Sequence, residues 1–267
     1  MRVGSASEVG LAQSYGSLRT IGALMLREMS TRYGRSVGGY VWAVVEPISA
    51  IFLLALGFSL LILAPSLGTS FILFYATGYL PFYIYQQVST TTSRSLNFSR
   101  PLLFYPTVTW LDALLARFAL NGLTTVMVSA VTLILIMATL ETRVALDAGP
   151  LLLATVLALG LGLGVGTLNC ALVGLFPTWD MIWGIITRPL FLASGVLYVH
   201  EDLPRLVQDI LWFNPLLHIA GLVREGIYAT YRPDYTSVAF VLGISLTLLA
   251  LGLLLLRRYH RDILESG

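Results

Sequence analysis

Six stretches of this chain are apolar enough to cross a bilayer: roughly residues 40–64, 71–90, 118–140, 150–176, 181–199 and 237–256. A spanning helix needs about 20 mostly apolar residues. Within hydrocarbon only helices and closed barrels satisfy every backbone polar group. The first stretch holds the run Pro47–Leu54 and the last ends in Leu253–Leu256, and each whole stretch is about twice the 9–11 residues of a barrel strand. They predict an all-α integral membrane protein with six transmembrane helices in a single domain. Charged residues make up 11% of the chain, against about 25% in a soluble domain, and the mean hydropathy is +0.81.

The chain has no lysine; all 16 of its Lys-plus-Arg residues are arginine. A P-loop needs a lysine to reach the β- and γ-phosphates, and Schiff-base enzymes need a lysine amine. Neither chemistry can be built here, so any ATP used must be hydrolysed by another chain. His200, His218 and His260 fit no zinc spacing. The lone Cys170 lies inside an apolar stretch and allows no intrachain disulfide. A net charge of +2 gives no reason to expect nucleic acid.

Residues 1–20 contain no central apolar run, so no signal peptide is expected. With the N-terminus in the cytoplasm and six alternating spans, the cytoplasmic side holds Arg2, Arg19, Arg27, Arg32, Arg35, Arg94, Arg100, Arg117, Arg257, Arg258 and Arg261. The external side holds Arg143, Arg205, Arg224 and Arg232, with Arg188 inside a span. This bias obeys the positive-inside rule with both termini cytoplasmic. The resulting division is a cytoplasmic N-terminus over 1–36, a permease domain over 37–256 and a cytoplasmic tail over 257–267.

Residues 15–36 read as an amphipathic helix lying in the membrane interface, with Arg27, Arg32 and Arg35 toward anionic headgroups. It either frames the first span or faces substrate. Residues 94–110 interrupt two spans on the cytoplasmic side. This basic, aromatic stretch includes Asn97, Phe98, Arg100, Pro101, Leu102, Leu103, Phe104 and Tyr105. Exposed apolar residues there mark either a docking site or a re-entrant foot packed on its own bundle, and docking is the favoured reading. Residues 200–235 read as an external re-entrant helix pair, about 203–212 and 215–230. Its start signals are Asp202 with Pro204, and Asn214 with Pro215. Gly160, Gly162, Gly164 and Gly166 form overlapping G-x-x-x-G pairs suited to close helix packing.

Charge inside a span is costly and marks structure or pathway. Glu46 precedes Pro47 in the first span, and Arg188 precedes Pro189 in the fifth; a Glu46–Arg188 pair is one possibility. Tyr75, Tyr79 and Tyr83 recur at i, i+4 and i+8, one helix face. Such a face serves either a sliding glycan or ordinary bundle packing. Ser194 with His218 downstream offers a remote serine–histidine pairing for an intramembrane hydrolase.

The stretch Arg27-Glu28-Met29-Ser30-Thr31-Arg32-Tyr33-Gly34-Arg35, followed by Gly39-Tyr40-Val41-Trp42-Ala43-Val44-Val45-Glu46-Pro47, resembles the opening of capsular-polysaccharide export permeases of type-2 ABC transporters. Asn214-Pro215-Leu216-Leu217-His218 with Arg224 resembles a second segment of that family. The resemblance implies a homodimer joined to two ATP-binding cassette subunits, which bind the ATP and magnesium; no cofactor is expected in this chain. It makes 94–105 the coupling segment. It implies export of a lipid-linked, usually acidic polysaccharide across the bacterial inner membrane, with periplasmic and outer-membrane partners beyond. The expected substrate path comprises Arg27, Arg32, Arg35, Tyr40, Trp42, Tyr75, Tyr79, Tyr83 and Arg188. Glu46, Pro47, Gly162 and Gly166 are expected to be structural. The alternative is a permease of the same architecture for O-antigen, teichoic acid or a small hydrophobic molecule.

Overall fold

The computed structural model describes residues 17, 19–29, 39–105, 108–139 and 146–266, and all regular structure among them is helical. After α1 (19–29) come α2 (Gly39–Ser59), α3 (Phe71–Ser93), α4 (Ser95–Leu103), α5 (Trp110–Thr139) and α6 (Ala148–Leu175). Then follow α7 (Trp179–Ala193), a single 3₁₀ turn (His200–Asp202), α8 (Arg205–Leu211), α9 (Pro215–Ile227) and α10 (Val238–Ser266).

Among the described residues four helices are long and apolar enough to cross a membrane: α2 from Val41, α5, α6, and α10 as far as Glu265. α3 has the length, 23 residues or about 35 Å, but it ends in Gln86-Gln87-Val88-Ser89-Thr90-Thr91-Thr92-Ser93 and is less apolar. α7 has 15 residues, shorter than the stretch 181–199 suggested, because the chain turns at Gly195, whose φ is +76°. α8 and α9 together are long and apolar enough for one span but meet at a 103° bend. α5 begins eight residues before position 118. α10 continues through Arg257, Arg258 and Arg261 to Ser266, so these arginines stand on its last turns.

Local chemistry sets several helix starts. Ser70 accepts the Leu73 amide at α3, Asp147 that of Gly149 at α6, and Asn214 that of Leu216 at α9. Each supplies an acceptor to an otherwise orphan N–H. Asp202 does not cap the first external helix as its sequence suggested. It lies in the 3₁₀ turn, and Pro204 precedes α8 without a side-chain cap.

α6 is the central helix, packed on α3, α10 and α9. Its glycines make that approach possible. A Cβ on Gly162 would stand 3.0 Å from Val88 of α3, and one on Gly166 would stand 2.7 Å from Thr92 Cβ and 2.8 Å from Ser89 O. Overpacking a tight contact costs about 1–3 kcal/mol. Gly166→Val is therefore expected to lower the unfolding temperature in detergent, whereas Gly160→Ala, which meets open space, is expected to leave it unchanged.

The ends of the bundle differ in charge. Arg94, Arg100, Arg117 and the α10 arginines gather at the α4 end, where α4, α5, α6 and α10 share a core of Leu96, Leu114, Cys170, Ala171, Leu256 and Ile263. The opposite end holds the 3₁₀ turn, α8, α9 and the start of α6, tied by the Asp147 amide donating to Gly226 O at 2.9 Å.

Candidate functional site

At the basic end, α1 is fastened to α5 beside α4. Glu28 is buried and accepts from Arg117 Nε at 3.2 Å and Asn121 Nδ2 at 3.3 Å. The Glu28–Arg117 side chains are only 4% and 12% exposed. Arg117 also donates to Arg94 O at 2.9 Å, where α3 passes into α4. Its guanidinium lies 4.2 Å from the Phe98 ring centroid, and that of Arg27 lies 5.9 Å from the same ring. Phe98 of α4 is thus gripped by two cations, one from α1 and one from α5, the favourable cation–π geometry. Ser17 donates to Asp112 as a further link between the N-terminal segment and α5. A polar cavity of about 380 Å³ opens here, lined by Glu28, Gln87, Thr90, Arg94, Phe98 and Arg117.

α4 bears the exposed ring pair foreseen for the coupling segment. Phe104 and Tyr105 at its end are 69% and 63% exposed, while Asn97 and Pro101 also face outward. Leu102 and Leu103 are half-buried instead of fully outward, and Leu103 packs on the core beneath. Arg100 donates to Leu264 O at 2.6 Å, tying α4 to the end of α10.

Along α2 and α7 the embedded charges stand apart. Glu46 and Arg188 are both exposed, and the described ion pairs are Arg94–Asp180, Arg117–Glu28 and Arg232–Glu225. The Glu46–Arg188 pair is therefore not formed. Pro47 is buried, and Trp42 is 65% exposed. Tyr40 falls in the first turn of α2, and Arg32 and Arg35 lie outside the described residues. The tyrosine face of α3 turns mainly inward. Tyr75 and Tyr83 are buried, Tyr75 against Phe58 and Phe74; Tyr79 is half-buried between Tyr83 and Phe191. Within one chain, only Tyr79 of the three retains surface for a passing ligand.

The serine–histidine alternative fails on geometry. Ser194 Oγ donates to Phe191 O at 2.6 Å. His218 is fully buried, its Nε2 2.7 Å from Trp212 O and its Nδ1 accepting the Ser237 amide at 3.1 Å. Both ring nitrogens are held by backbone, and neither residue addresses the other.

The residue that sequence reasoning undervalued is Arg224. Counted by its sequence among the external arginines, it is 0% exposed in α9. Nη1 donates to Tyr198 O at 2.8 Å and Nη2 to Gly195 O at 2.7 Å, and the guanidinium stacks 4.7 Å from the Phe74 ring centroid. Its surroundings include Tyr228, Tyr231 and Tyr235, and Tyr231 donates to both Glu201 oxygens at 3.2 and 3.1 Å. Burial pushes the Tyr228 and Tyr235 phenols up to about 12, and Tyr231 is raised too. All three stay protonated near neutral pH and remain available as donors. The signal for this cluster was an arginine between apolar residues of an N-P-capped helix.

A helical bundle with membrane-length helices, a basic end carrying an exposed aromatic tip, and embedded charges left open has the architecture of a membrane permease. Residues 19–228 match the ABC-2 type transporter family, and the chain belongs to it. It is 28% identical to the polysialic acid transport protein KpsM of Escherichia coli, over 92% of this chain and 96% of that one. It is 26% identical to the capsule polysaccharide export inner-membrane protein CtrC of Neisseria meningitidis serogroup B, over 92% of each chain. Identity with BexB of Haemophilus influenzae, a protein of the same description, is 29% over 92% of each.

Proposed function

We propose that this protein is the transmembrane subunit of an ATP-driven exporter that moves a lipid-linked acidic capsular polysaccharide from cytoplasm to periplasm. The subunit works as a homodimer with two ATP-binding cassette subunits, which bind ATP and magnesium. Six segments cross the inner membrane: α2, α3, α5, α6, α7 and α10. The basic α4 end and both termini face the cytoplasm, and α8–α9 form the external re-entrant pair. Periplasmic and outer-membrane proteins carry the polymer onward.

The observation that carries this reading is the tip of α4. Phe104 and Tyr105 present large rings to solvent at the end where arginines collect, on a helix anchored to α5 and α10 by Arg117 and Arg100. Exposed aromatics on a rigid foot suit a cleft in a partner. The open charges supply a second support. Glu46 and Arg188 lie on exposed faces of membrane-embedded helices, and such charges favour a water-filled cavity or another protein surface over lipid. A passage bounded by α2 and α7 of two copies provides both, with Trp42, Tyr79 and Arg188 along it and Arg27, Arg32 and Arg35 at its cytoplasmic mouth. Arginine suits an anionic glycolipid because its fork grips carboxylate or phosphate in two places.

The test is Phe104→Ala with Tyr105→Ala. Each buried aromatic anchor contributes about 2 kcal/mol at an interface. Co-purification of the ATPase is expected to fall by at least tenfold, and surface capsule to disappear, while membrane insertion and dimerisation persist. Undiminished ATPase retention in the double variant removes α4 as the docking element. Identification of the glycan bound to the purified complex separates capsular polymer from O-antigen or teichoic acid.

A further inference from the structure

A cleft of about 250 Å³ lies between α3, α5, α6 and α9, lined by Leu80, Pro81, Leu133, Leu151, Val223 and Ile227. Its origin is visible in the chain. α5 touches α6 far less than it touches α3. Pro81, inside α3, has no amide to return to the Thr77 carbonyl, and such a proline bends its helix.

The cleft's lining reaches the exposed outer sides of α5 and α6 at Ala130 and Leu152. Leu152, one of its lining residues, is 67% exposed, and Met127, Ile134 and Val156 beside it on α5 and α6 are exposed as well. In an integral membrane protein that face meets hydrocarbon. Ser129, also in the lining, is 6% exposed, and its Oγ makes no hydrogen bond. The neighbouring hydroxyls behave differently: Thr125 donates to Asn121 O and Thr155 to Leu151 O, both one turn back, which is the usual habit of helical hydroxyls. A buried water needs two to four polar partners, and this lining offers one free hydroxyl among apolar walls. Protein side chains have not closed the space, and water gains too little in it. The occupant that matches both the walls and the medium is a hydrocarbon chain.

We propose that the cleft between α3, α5, α6 and α9 is a binding site for one acyl chain of a bilayer phospholipid, seated from the side and held more tightly than lipid on the open helix faces. The site is separate from the proposed export path, because none of its lining residues comes from α2 or α7.

The test uses the full-length protein in nanodiscs of phosphatidylethanolamine and phosphatidylglycerol doped with a phospholipid bearing a photoactivatable group on its acyl chain. Crosslinked peptides are read by mass spectrometry. Labelling of peptides containing Ala130–Leu133 and Leu151–Thr155 is expected to exceed, by several-fold, that around Leu246 and Leu254 of α10, which are similarly exposed. Ser129→Phe fills the floor and Leu152→Trp plugs the mouth. Either is expected to bring cleft labelling down to the level of the α10 face without changing labelling there. Leu152 sits on the rim, so its variant folds even if the floor substitution does not. Uniform labelling of all lipid-facing helices, or cleft labelling that survives Leu152→Trp, overturns the proposal and leaves only annular lipid.

Discussion

Arg224→Ala is expected to lower the stability of the purified protein by about 3–5 kcal/mol, the scale of removing one partner from a buried charged network. It is expected to abolish export as well. Two charge-assisted bonds are lost together, to Gly195 O and Tyr198 O, each worth about 1.5–3 kcal/mol. The stranded carbonyls sit in the turn that ends α7, where Gly195 holds a left-handed conformation and α9 packs Leu217 against it. Without the guanidinium that turn keeps only the Asn214 Nδ2 bond to Ala193 O and apolar packing against α9, and Phe74 loses its stacked cation. The unfolding temperature in nanodiscs is expected to drop by roughly 10 °C, with new protease cleavage between 195 and 235. Arg224→Lys keeps the charge but has no planar fork for two carbonyls, so it is expected to recover less than half of the loss. Wild-type melting and cleavage of Arg224→Ala would show that the buried arginine does not hold the α7–α9 junction.

Local signals gave away much of this structure. The Asn214-Pro215 start of α9, the glycine row of α6 and the aromatic tip of α4 all act through neighbours in sequence or through one helix face, so periodicity and capping rules reach them. What stayed hidden depends on contacts across the bundle. Arg224 read only as one of the external arginines because its acceptors lie 26 and 29 residues away. The face carrying Tyr75 and Tyr83 was legible as a face, but its direction depends on where α2 and α7 pack. The end of an apolar run is not the end of a helix, so Arg257 and Arg258 closed the hydrophobic count of α10 while its backbone bonds continued. Leu102 and Leu103 read as cytosolic until the core around Leu96 and Leu256 half-covered them. The Arg27-Glu28 pair drew attention to the arginine as a substrate contact, although the carboxylate beside it is the residue most firmly placed.

That carboxylate carries the second large expectation. Glu28→Gln is expected to sever export from ATP hydrolysis: the assembled complex still binds its ATPase and turns over nucleotide, but surface polymer falls by at least tenfold. Glu28 is shared by Arg117 and Asn121, and Arg117 in turn touches Phe98 and the Arg94 carbonyl of α4. Any displacement of α4 by a partner therefore reaches α1 through this cluster, and α1 carries Arg27 at the proposed cytoplasmic mouth. A mostly buried ion pair leaves an uncompensated charge when one side is neutralised, a loss of about 3 kcal/mol here. Arg117→Gln is expected to behave like Glu28→Gln, and the Glu28→Gln/Arg117→Gln double variant to be less destabilised than the two losses summed, with a coupling of about 1–3 kcal/mol. Thermal unfolding of the four proteins measures the coupling, and capsule per ATP hydrolysed measures the linkage. Additive stability losses, or normal capsule yield in Glu28→Gln, would mean that α1 and α4 move independently.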